Sequence, residues 1–359
     1  MRIASTLFAI GLVAACSSTA APGGGDAGST DAAADVTTPL DSGTADAKVD
    51  GAAPVVTKEE IEFVPKAALP SGESILANSW GDPDAVFAMR PDGSDIADVF
   101  QARRVWSFGA TRDGSQIAFS SEDPKTEAHY GITTTDSIQN TWLYDLGTKA
   151  ITFLGPGNVN DECHAFSPDK KVLWVCRRYD FQTDNTFSGW RIGKFDLASG
   201  AFSFVTSEDD RFALHPNLLS DGKTLLHGYI DVSVPTKPAY SIVKRSPETG
   251  PMTEVRPKAG RPSVSPDGSK YVFTDYANGG RLALANTDGS GSVTEVATQG
   301  GDPAWSPDGK KLAITVDDKP NNCQHVDIVG IDPVAAPVRI FDCAQKKRFI
   351  TNLAWVKVP

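Results

Sequence analysis

The chain has 359 residues and a formal charge of −11, from 34 Lys and Arg against 45 Asp and Glu. An acidic chain repels phosphate backbones unless it carries a concentrated basic stripe, and the longest basic run is Lys346-Lys347-Arg348, so we expect no nucleic-acid partner. With 32 Gly, 24 Pro and 40% apolar residues, the composition excludes collagen and a coiled coil and favours a β-rich globular protein.

The N-terminus predicts export. Arg2 precedes an apolar run at residues 3–15 that ends in small residues, as the hydrophobic region and cleavage site of a signal peptide require. The run is too short to cross a bilayer as a helix. We therefore interpret residues 1–15 as a signal peptide.

The cysteine that follows this segment indicates a membrane anchor. Val13-Ala14-Ala15-Cys16 resembles the lipobox of bacterial lipoproteins, which implies that Cys16 is lipidated and becomes the first residue of the mature protein. An ordinary secretory signal with an incidental cysteine is the alternative. Ser17 stands where, in enterobacterial sorting, an aspartate favours retention at the inner membrane. We therefore expect the chain on the periplasmic side of the outer membrane or at the cell surface.

The segment after Cys16 has the composition of a tether. Residues 17–56 are almost entirely Ala, Gly, Asp, Ser, Thr and Pro, and none is aromatic. Such a segment cannot bury enough apolar surface to offset the entropy of ordering it. Its aspartates show no regular ligand spacing, so we interpret them as part of a solvated linker rather than a calcium site. We assign residues 16–56 to the lipidated cysteine and linker, and residues 57–359 to a globular domain.

The globular domain is built on a repeat. Five segments each begin with an apolar run, pass through an Asp-Gly or Pro-Asp turn and end in a second apolar run; they cover residues 106–119, 163–175, 215–226, 261–273 and 302–314. Pro presets φ and Gly accepts positive φ, so each segment predicts a β-hairpin. The turn aspartates are Asp113, Asp169, Asp221, Asp267 and Asp308. We expect these residues to serve the turns rather than chemistry.

A second hairpin follows each of these five, giving four antiparallel strands per unit, which is typical of a propeller blade. Residues 74–79, 85–90 and 96–100 supply three strands of one more blade, and residues 350–358 form an orphan strand at the C-terminus. Helical periodicity is absent. We predict an all-β fold, a six-bladed β-propeller of four-stranded antiparallel blades, in which the C-terminal strand closes the ring and leaves no sheet edge unpaired.

The repeats also carry a family resemblance. Ser265-Pro266-Asp267-Gly268 and residues 302–314 (DPAWSPDGKKLAI) resemble the repeats of the TolB family of β-propellers, and the similarity covers residues 70–359. The resemblance implies a periplasmic propeller that binds a partner lipoprotein around the mouth of its central channel. The small α/β domain of that family is replaced here by the expected anchor and tether. Similar repeats occur in peptidase propeller domains and in sensory or scaffold proteins.

The four remaining cysteines form two close pairs, Cys163 with Cys176 and Cys323 with Cys343. A two-residue turn at Asp169 would place Cys163 directly opposite Cys176, where a disulfide can form, whereas a bulged turn would shift the register. Cys323 and Cys343 would begin and end the outer hairpin of the last blade. We expect two disulfides in an oxidising compartment, with four thiols as the alternative. No Cys-x-x-Cys spacing indicates zinc.

No catalytic motif and no cofactor motif is present in the sequence. The candidate binding residues are polar groups near the starts of the innermost strands: His164, Arg211, His215, Arg261 and Asp302. Asp161 and Glu162 could join them at one channel mouth, or all of these groups could simply satisfy one another in a wet channel. Two long connections, residues 122–139 with His129 and Tyr130 and residues 179–188 with Phe181 and Phe187, could contact a partner or cover the blade edges.

These observations favour a non-enzymatic, lipid-anchored periplasmic propeller, monomeric, that binds a protein or glycan of the cell envelope through its channel face. The alternative is a propeller enzyme of the lactonase or lyase kind, with a divalent metal held by His164, His215 and Asp302. A purely structural or surface-display role is a third reading.

Overall fold

The computed structural model describes residues 56–80, 84–131, 138–155, 157–179, 189–210, 212–234, 238–346 and 348–359. The predicted signal peptide, Cys16 and nearly all of the predicted linker lie outside these residues, as do Arg211, Phe181 and Phe187. The described residues belong to one compact unit, Ala53–Pro359. Among them, no helix has both the length and the apolar character needed to cross a bilayer.

The described strands form antiparallel groups of four. One group combines the two ends of this unit: β25 (Phe349–Val358), β2 (Gly72–Trp80), β3 (Ala85–Met89) and β4 (Ala97–Gln101), with β1 (Val64–Pro65) added beside β4. The next two groups are β5 (Val105–Ala110), β6 (Gln116–Glu122), β7 (Gln139–Asp145) and β8 (Ile151–Phe153), then β9 (Val159–Phe166), β10 (Val172–Tyr179), β11 (Gly189–Asp196) and β12 (Phe202–Phe204). A single parallel bridge, Gln139 to Asn160, links these two groups.

Three more groups follow in chain order, and in each of them every strand pairs with the next strand along the chain. They are β13 (Ala213–Leu218), β14 (Leu225–Asp231), β15 (Ala239–Arg245) and β16 (Met252–Pro257); β17 (Ala259–Val264), β18 (Lys270–Asp275), β19 (Arg281–Asn286) and β20 (Thr294–Ala297); and β21 (Gly301–Trp305), β22 (Lys311–Asp318), β23 (Cys323–Gly330) and β24 (Val338–Phe341). The described α-helices are short: α1 (Pro124–Tyr130) and α2 (Cys343–Lys346). The predicted all-β class and its antiparallel groups are confirmed.

The turn aspartates have the turn role predicted for them. Asp267 Oδ1 accepts a hydrogen bond from Ser265 Oγ at 2.6 Å and another from the Ser269 N–H at 3.0 Å. Gly268 has φ of 76°, the left-handed region that glycine adopts without a steric penalty. The Ser265 hydroxyl is the largest of the contributions that lower the pKa of Asp267 to about 2. Asp308 makes equivalent bonds in the last repeat.

The core lies between neighbouring groups, and one of its aromatic clusters includes the segment before β1. Phe63 packs against Phe100, Phe119 and Tyr144, with ring centroids 5.3, 6.0 and 5.1 Å away. All four rings are buried. Burial of a phenylalanine side chain is worth about 1.5 to 3 kcal/mol relative to exposure, so this segment is part of the globular fold rather than of a tether.

A β-bulge recurs in the first strand of each group. At each bulge two residues face one residue of the second strand; the pairs, called here the bulge residues, are 106 and 107, 163 and 164, 215 and 216, 261 and 262, 302 and 303, and 351 and 352. In the first strands of four consecutive groups, the first bulge residue has a left-handed backbone. These are Cys163, His215, Arg261 and Asp302, with φ of 56°, 54°, 52° and 43°. A bulge bends the strand and re-aims its side chains.

The bulge overturns one predicted disulfide. Cys163 and Cys176 are not joined, and both remain thiols. The predicted register holds for Phe166 opposite Leu173, but the bulge shifts it, so that Cys176 lies opposite Glu162. The other predicted disulfide, Cys323 to Cys343, is confirmed, with an Sγ–Sγ distance of 2.03 Å.

Candidate functional site

The described candidate residues all lie within bulges: His215, Arg261 and Asp302 are first bulge residues, whereas His164 is a second bulge residue. His164 lies on β9, His215 on β13, Arg261 on β17 and Asp302 on β21, each within a bulge. The fifth candidate, Arg211, lies outside the described residues. Sequence reasoning placed the four near strand starts, but it did not predict the bulges that re-aim them.

Two glycines show how close three of these residues are. A Cβ added to Gly228 would lie 3.7 Å from His215 Nδ1 and 3.8 Å from the backbone nitrogen of Arg261. A Cβ added to Gly301 would lie 3.7 Å from Arg261 Nη1, and Gly301 directly precedes Asp302. His215, Arg261 and Asp302 therefore follow one another across three adjacent first strands. All three are partly buried, so each keeps some contact with solvent.

The carboxyl group of Asp302 is electrostatically unusual. Burial raises its pKa to about 6, although the positive charge of Arg261 and the Thr315 hydroxyl both act to lower it. Thr315 Oγ1 donates to Asp302 Oδ2 at 3.5 Å. Asp317, another acidic side chain, raises the pKa further. A carboxylate held this way is incompletely solvated. A ligand that brings a hydrogen-bond donor or a positive charge would therefore stabilise its ionised form.

His164 has a different environment, since its ring is bonded on both sides inside the protein. Its Nδ1 lies 3.3 Å from Ser107 Oγ, and its Nε2 lies 3.2 Å from Thr141 Oγ1. Thr141 Oγ1 in turn donates to Asp161 Oδ2 at 2.9 Å, so it accepts a hydrogen bond from the His164 Nε2–H. Burial lowers the pKa of His164 to about 4 and keeps the ring neutral at pH 7. Neither Ser107 nor Thr141 carries a signal that sequence reasoning could have used.

The two acidic residues before His164 are paired within their own group. Asp161 receives two bonds from Arg177, Nε to Oδ1 at 2.7 Å and Nη2 to Oδ2 at 2.8 Å. Glu162 is paired with Arg178. The Arg177 guanidinium also lies 3.6 Å from the centroid of the Phe202 ring, a cation–π contact. Asp161 and Glu162 are thus each paired with an arginine of their own group of strands.

The metal ligands predicted for the enzyme alternative do not come together. His164, His215 and Asp302 are not among the ligand groups of the described chain whose donor atoms lie within 4.8 Å of one another. That condition is met elsewhere, by Asp318, His325 and Cys343, although the Cys343 sulfur is in a disulfide. Sequence reasoning missed this cluster. The signal that could have found it is the predicted pairing of Cys323 with Cys343. His325 follows Cys323 by two residues, and Asp342 directly precedes Cys343.

The long connections are described only in part. The segment 122–139 contains α1, whose N-cap Asp123 accepts from the Thr126 N–H at 3.1 Å and whose C-cap is Gly131. His129 lies on this helix and is partly buried. Residues 132–137, and residues 180–188 of the second connection, lie outside the described part of the chain.

Comparisons with known proteins show the fold. No model of a protein family matches the sequence, and no curated protein sequence matches it. Among solved structures, TolB from Acinetobacter baumannii has a TM-score of 0.60 at 17% identity, over 80% of this chain and 66% of that one. A putative TolB from Agrobacterium tumefaciens has a TM-score of 0.54 at 16% identity, over 81% of this chain and 100% of that one. Hydrazine synthase of Kuenenia stuttgartiensis has a TM-score of 0.57 at 8% identity, over 81% of this chain and 47% of that one.

These likenesses establish a TolB-like β-propeller fold. The chain spans just under two thirds of the length of the Acinetobacter TolB. The blades of a propeller surround a central channel.

Proposed function

We propose that this chain is a non-enzymatic, lipid-anchored β-propeller of the cell envelope that binds a protein or glycan ligand at one mouth of its channel. The central residues of that mouth are His215, Arg261 and Asp302. The observation that carries the proposal is the placement of an incompletely solvated carboxylate beside an arginine on adjacent bulges. A ligand with both charged and polar groups would be recognised by these two opposite charges.

The proposal includes a closed ring of six blades. Each group of four strands is one blade, and the blade that contains β2, β3 and β4 takes its first strand from the C-terminus. The pairing of β25 with β2, from Gly72 opposite Val358 to Trp80 opposite Phe349, supports this arrangement. Asn78 supports it too, since its Nδ2 donates to the Val105 carbonyl at 2.9 Å and its Oδ1 accepts from Thr351 Oγ1 at 2.8 Å. A ring without an open edge gives a rigid rim for a binding site.

The location rests on the sequence. The lipobox-like residues before Cys16 support a lipid anchor, and the tether of residues 17–56 would hold the propeller away from the membrane. The disulfide between Cys323 and Cys343 is consistent with an oxidising compartment. The resemblance to TolB makes a protein of the envelope the first ligand class to test.

A binding role fits the site better than catalysis by His164. Both ring nitrogens of His164 are engaged by neighbouring hydroxyls, and its nearest carboxylate, Asp161, is paired with Arg177. A general base needs a lone pair directed at a substrate. Arg261 and Asp302 instead bring opposite charges to the proposed mouth, which suits recognition of a ligand with mixed charge.

The experiment is capture of ligands by chemical cross-linking in bacterial envelope fractions, with the full-length protein as bait. Arg261→Ala and Asp302→Asn should each lose the specific cross-linked products of the wild type. The matched control is Arg281→Ala, which removes an exposed arginine paired with Glu295 at 2.6 Å on β19. Equal capture by wild type, Arg261→Ala and Asp302→Asn would contradict the proposed mouth.

A further inference from the structure

His325 is enclosed by potential metal ligands on the last blade. Its Nδ1 accepts a hydrogen bond from the Cys343 N–H at 3.2 Å, lies 3.5 Å from Cys343 Sγ and lies 3.6 Å from Asp342 Oδ1. Its Nε2 lies 3.0 Å from Asp318 Oδ2. His325 and Cys343 are 6% and 1% exposed. The lone pair on Nδ1 is therefore directed at the Cys343 N–H, next to the sulfur of the same residue, and the Nε2–H donates to Asp318.

This arrangement is the one seen around histidines that bind metals. A ligating histidine commonly donates its second N–H to a carboxylate, which fixes the tautomer and the orientation of the ring. Asp318 occupies that supporting place, and its own position is fixed because it caps the turn at residues 319–321, accepting from the Asn321 N–H at 3.3 Å. The ring is thus oriented with Nδ1 towards Cys343 and Asp342.

The disulfide blocks the site as it stands. Thiolates bind metals, whereas a sulfur bonded to a second sulfur has no negative charge to offer. A dithiol reductant can open it: two electrons and two protons pass to the disulfide, which becomes two thiols, while the dithiol becomes a disulfide. Cys323 is partly exposed and is the sulfur that a reductant reaches, since Cys343 is buried.

We propose that the Cys323–Cys343 disulfide, His325 and Asp342 form a zinc site that is closed when oxidised and opens on reduction. The ligands are the two cysteine sulfurs, His325 Nδ1 and Asp342 Oδ1, with Asp318 as the positioning residue. Each thiol loses its proton when zinc binds, and zinc takes the place of the Cys343 N–H at Nδ1. Two sulfurs, one nitrogen and one oxygen suit a tetrahedral Zn²⁺ site. This inference is independent of the proposed ligand mouth.

The test uses Co²⁺ as a spectroscopic probe for zinc. The protein used is the full-length chain in which serine replaces both Cys163 and Cys176, so that the other described thiols are absent. Its Co²⁺ binding is measured before reduction, and again after reduction and removal of the reductant. We expect no cobalt–thiolate absorption from the oxidised form and one bound Co²⁺ per chain after reduction, displaced by Zn²⁺. Binding of equal strength before and after reduction, or no binding by the reduced folded protein, would overturn the proposal. So would loss of the β-sheet circular dichroism spectrum on reduction, since the site requires the folded blade.

Variants separate ligands from the positioning residue. His325→Gln should weaken Co²⁺ binding by at least about tenfold and change the absorption spectrum, because a ligand is lost. Asp318→Asn should weaken binding by about 10- to 100-fold while it leaves the cobalt–thiolate bands in place. Cys323→Ser opens the site without reduction and should bind Co²⁺ through Cys343 in the untreated protein. Failure of Cys323→Ser to bind, or unchanged binding by His325→Gln, would also refute the assignment.

Discussion

The thiol of Cys176 accepts a hydrogen bond from the backbone N–H of His215, with the nitrogen 3.0 Å from Sγ. The bond links the second strand of one blade to the bulge of the next. Equivalent links occur at the neighbouring bulges: the Cys163 N–H donates to Ser107 Oγ at 3.1 Å, and Asn217 Nδ2 donates to the Pro262 carbonyl at 2.8 Å. Hydrogen bonds between neighbouring groups of strands thus hold the backbone of these bulges in place.

Cys176→Val should destabilise the protein, because it leaves the His215 N–H without its acceptor. An unsatisfied buried donor costs about 1 to 3 kcal/mol, and we expect the free energy of unfolding to fall by about 1 to 2 kcal/mol because His215 is only partly buried. Urea denaturation measures this change. The control is Cys163→Ser, at a partly exposed position, which should change the free energy of unfolding by less than about 0.5 kcal/mol. Equal effects of the two substitutions would contradict the role of Cys176.

Asp302 should make the protein less stable as the pH rises from about 4 to 6. Its pKa is about 6 in the folded protein and near 3.8 when unfolded, so the folded state holds more protons in this window. Stability from this residue is therefore present below pH 4 and lost above pH 6. Asp302→Asn removes the effect. Between pH 4 and 7 the free energy of unfolding of the wild type should therefore fall by about 1 to 2 kcal/mol relative to that of the variant. Urea denaturation of both proteins across this range measures the difference, and a constant difference would contradict the raised pKa.

His164 should produce the opposite dependence. Burial lowers its pKa from 6.5 to about 4, so the unfolded state binds the proton more readily. Its contribution is fully present above about pH 6.5 and is lost as the pH falls towards 4. Compared with His164→Gln, the wild type should therefore lose about 1 to 3 kcal/mol between pH 7 and 4. Denaturation curves at each pH supply the test. A relative stability that rises on acidification would show that the ring is charged in the folded protein.

Gly268→Ala should cost more stability than Gly289→Ala. Both glycines have left-handed backbones, with φ of 76° and 80°. A Cβ at Gly268 would lie 2.6 Å from Ser220 Oγ and 3.2 Å from the Ser220 nitrogen, whereas a Cβ at Gly289 meets nothing within 4 Å. Gly289→Ala carries only the backbone penalty of about 1 to 2 kcal/mol. Thermal or urea denaturation should show a clearly larger loss for Gly268→Ala, and equal losses would mean that this turn does not pack against its neighbour.

The sequence is sufficient to predict the features of the fold that are encoded locally. The Ser265-Pro266-Asp267-Gly268 turn and its relatives predict hairpins because their hydrogen bonds join residues only two to five positions apart. The orphan strand at residues 350–358 predicts the pairing of β25 with β2. The sequence does not predict the helices α1 and α2 or the strand β1, since each is too short to show a period.

The geometry of the site could not be predicted in the same way. The bulge at Cys163 depends on Ser107, more than 50 residues earlier, which accepts its N–H. The wrong disulfide followed directly from this, because an unbulged hairpin puts Cys163 opposite Cys176. The clustering of His325 with Asp318 and Cys343 likewise arises from three separate segments of one blade. Such contacts are tertiary, and hydrophobic patterning carries no information about them.

The most direct test of the binding mouth is site-specific photo-cross-linking in living cells. A photoreactive phenylalanine analogue at His215, beside Arg261 in the mouth, should yield a discrete cross-linked envelope product. The same analogue at Val338, which is 62% exposed on the edge strand β24, should not yield that product. Cross-linking at position 215 alone is the result that the account predicts. Absence of a product at position 215, or the same product from both positions, would contradict a ligand site at this mouth.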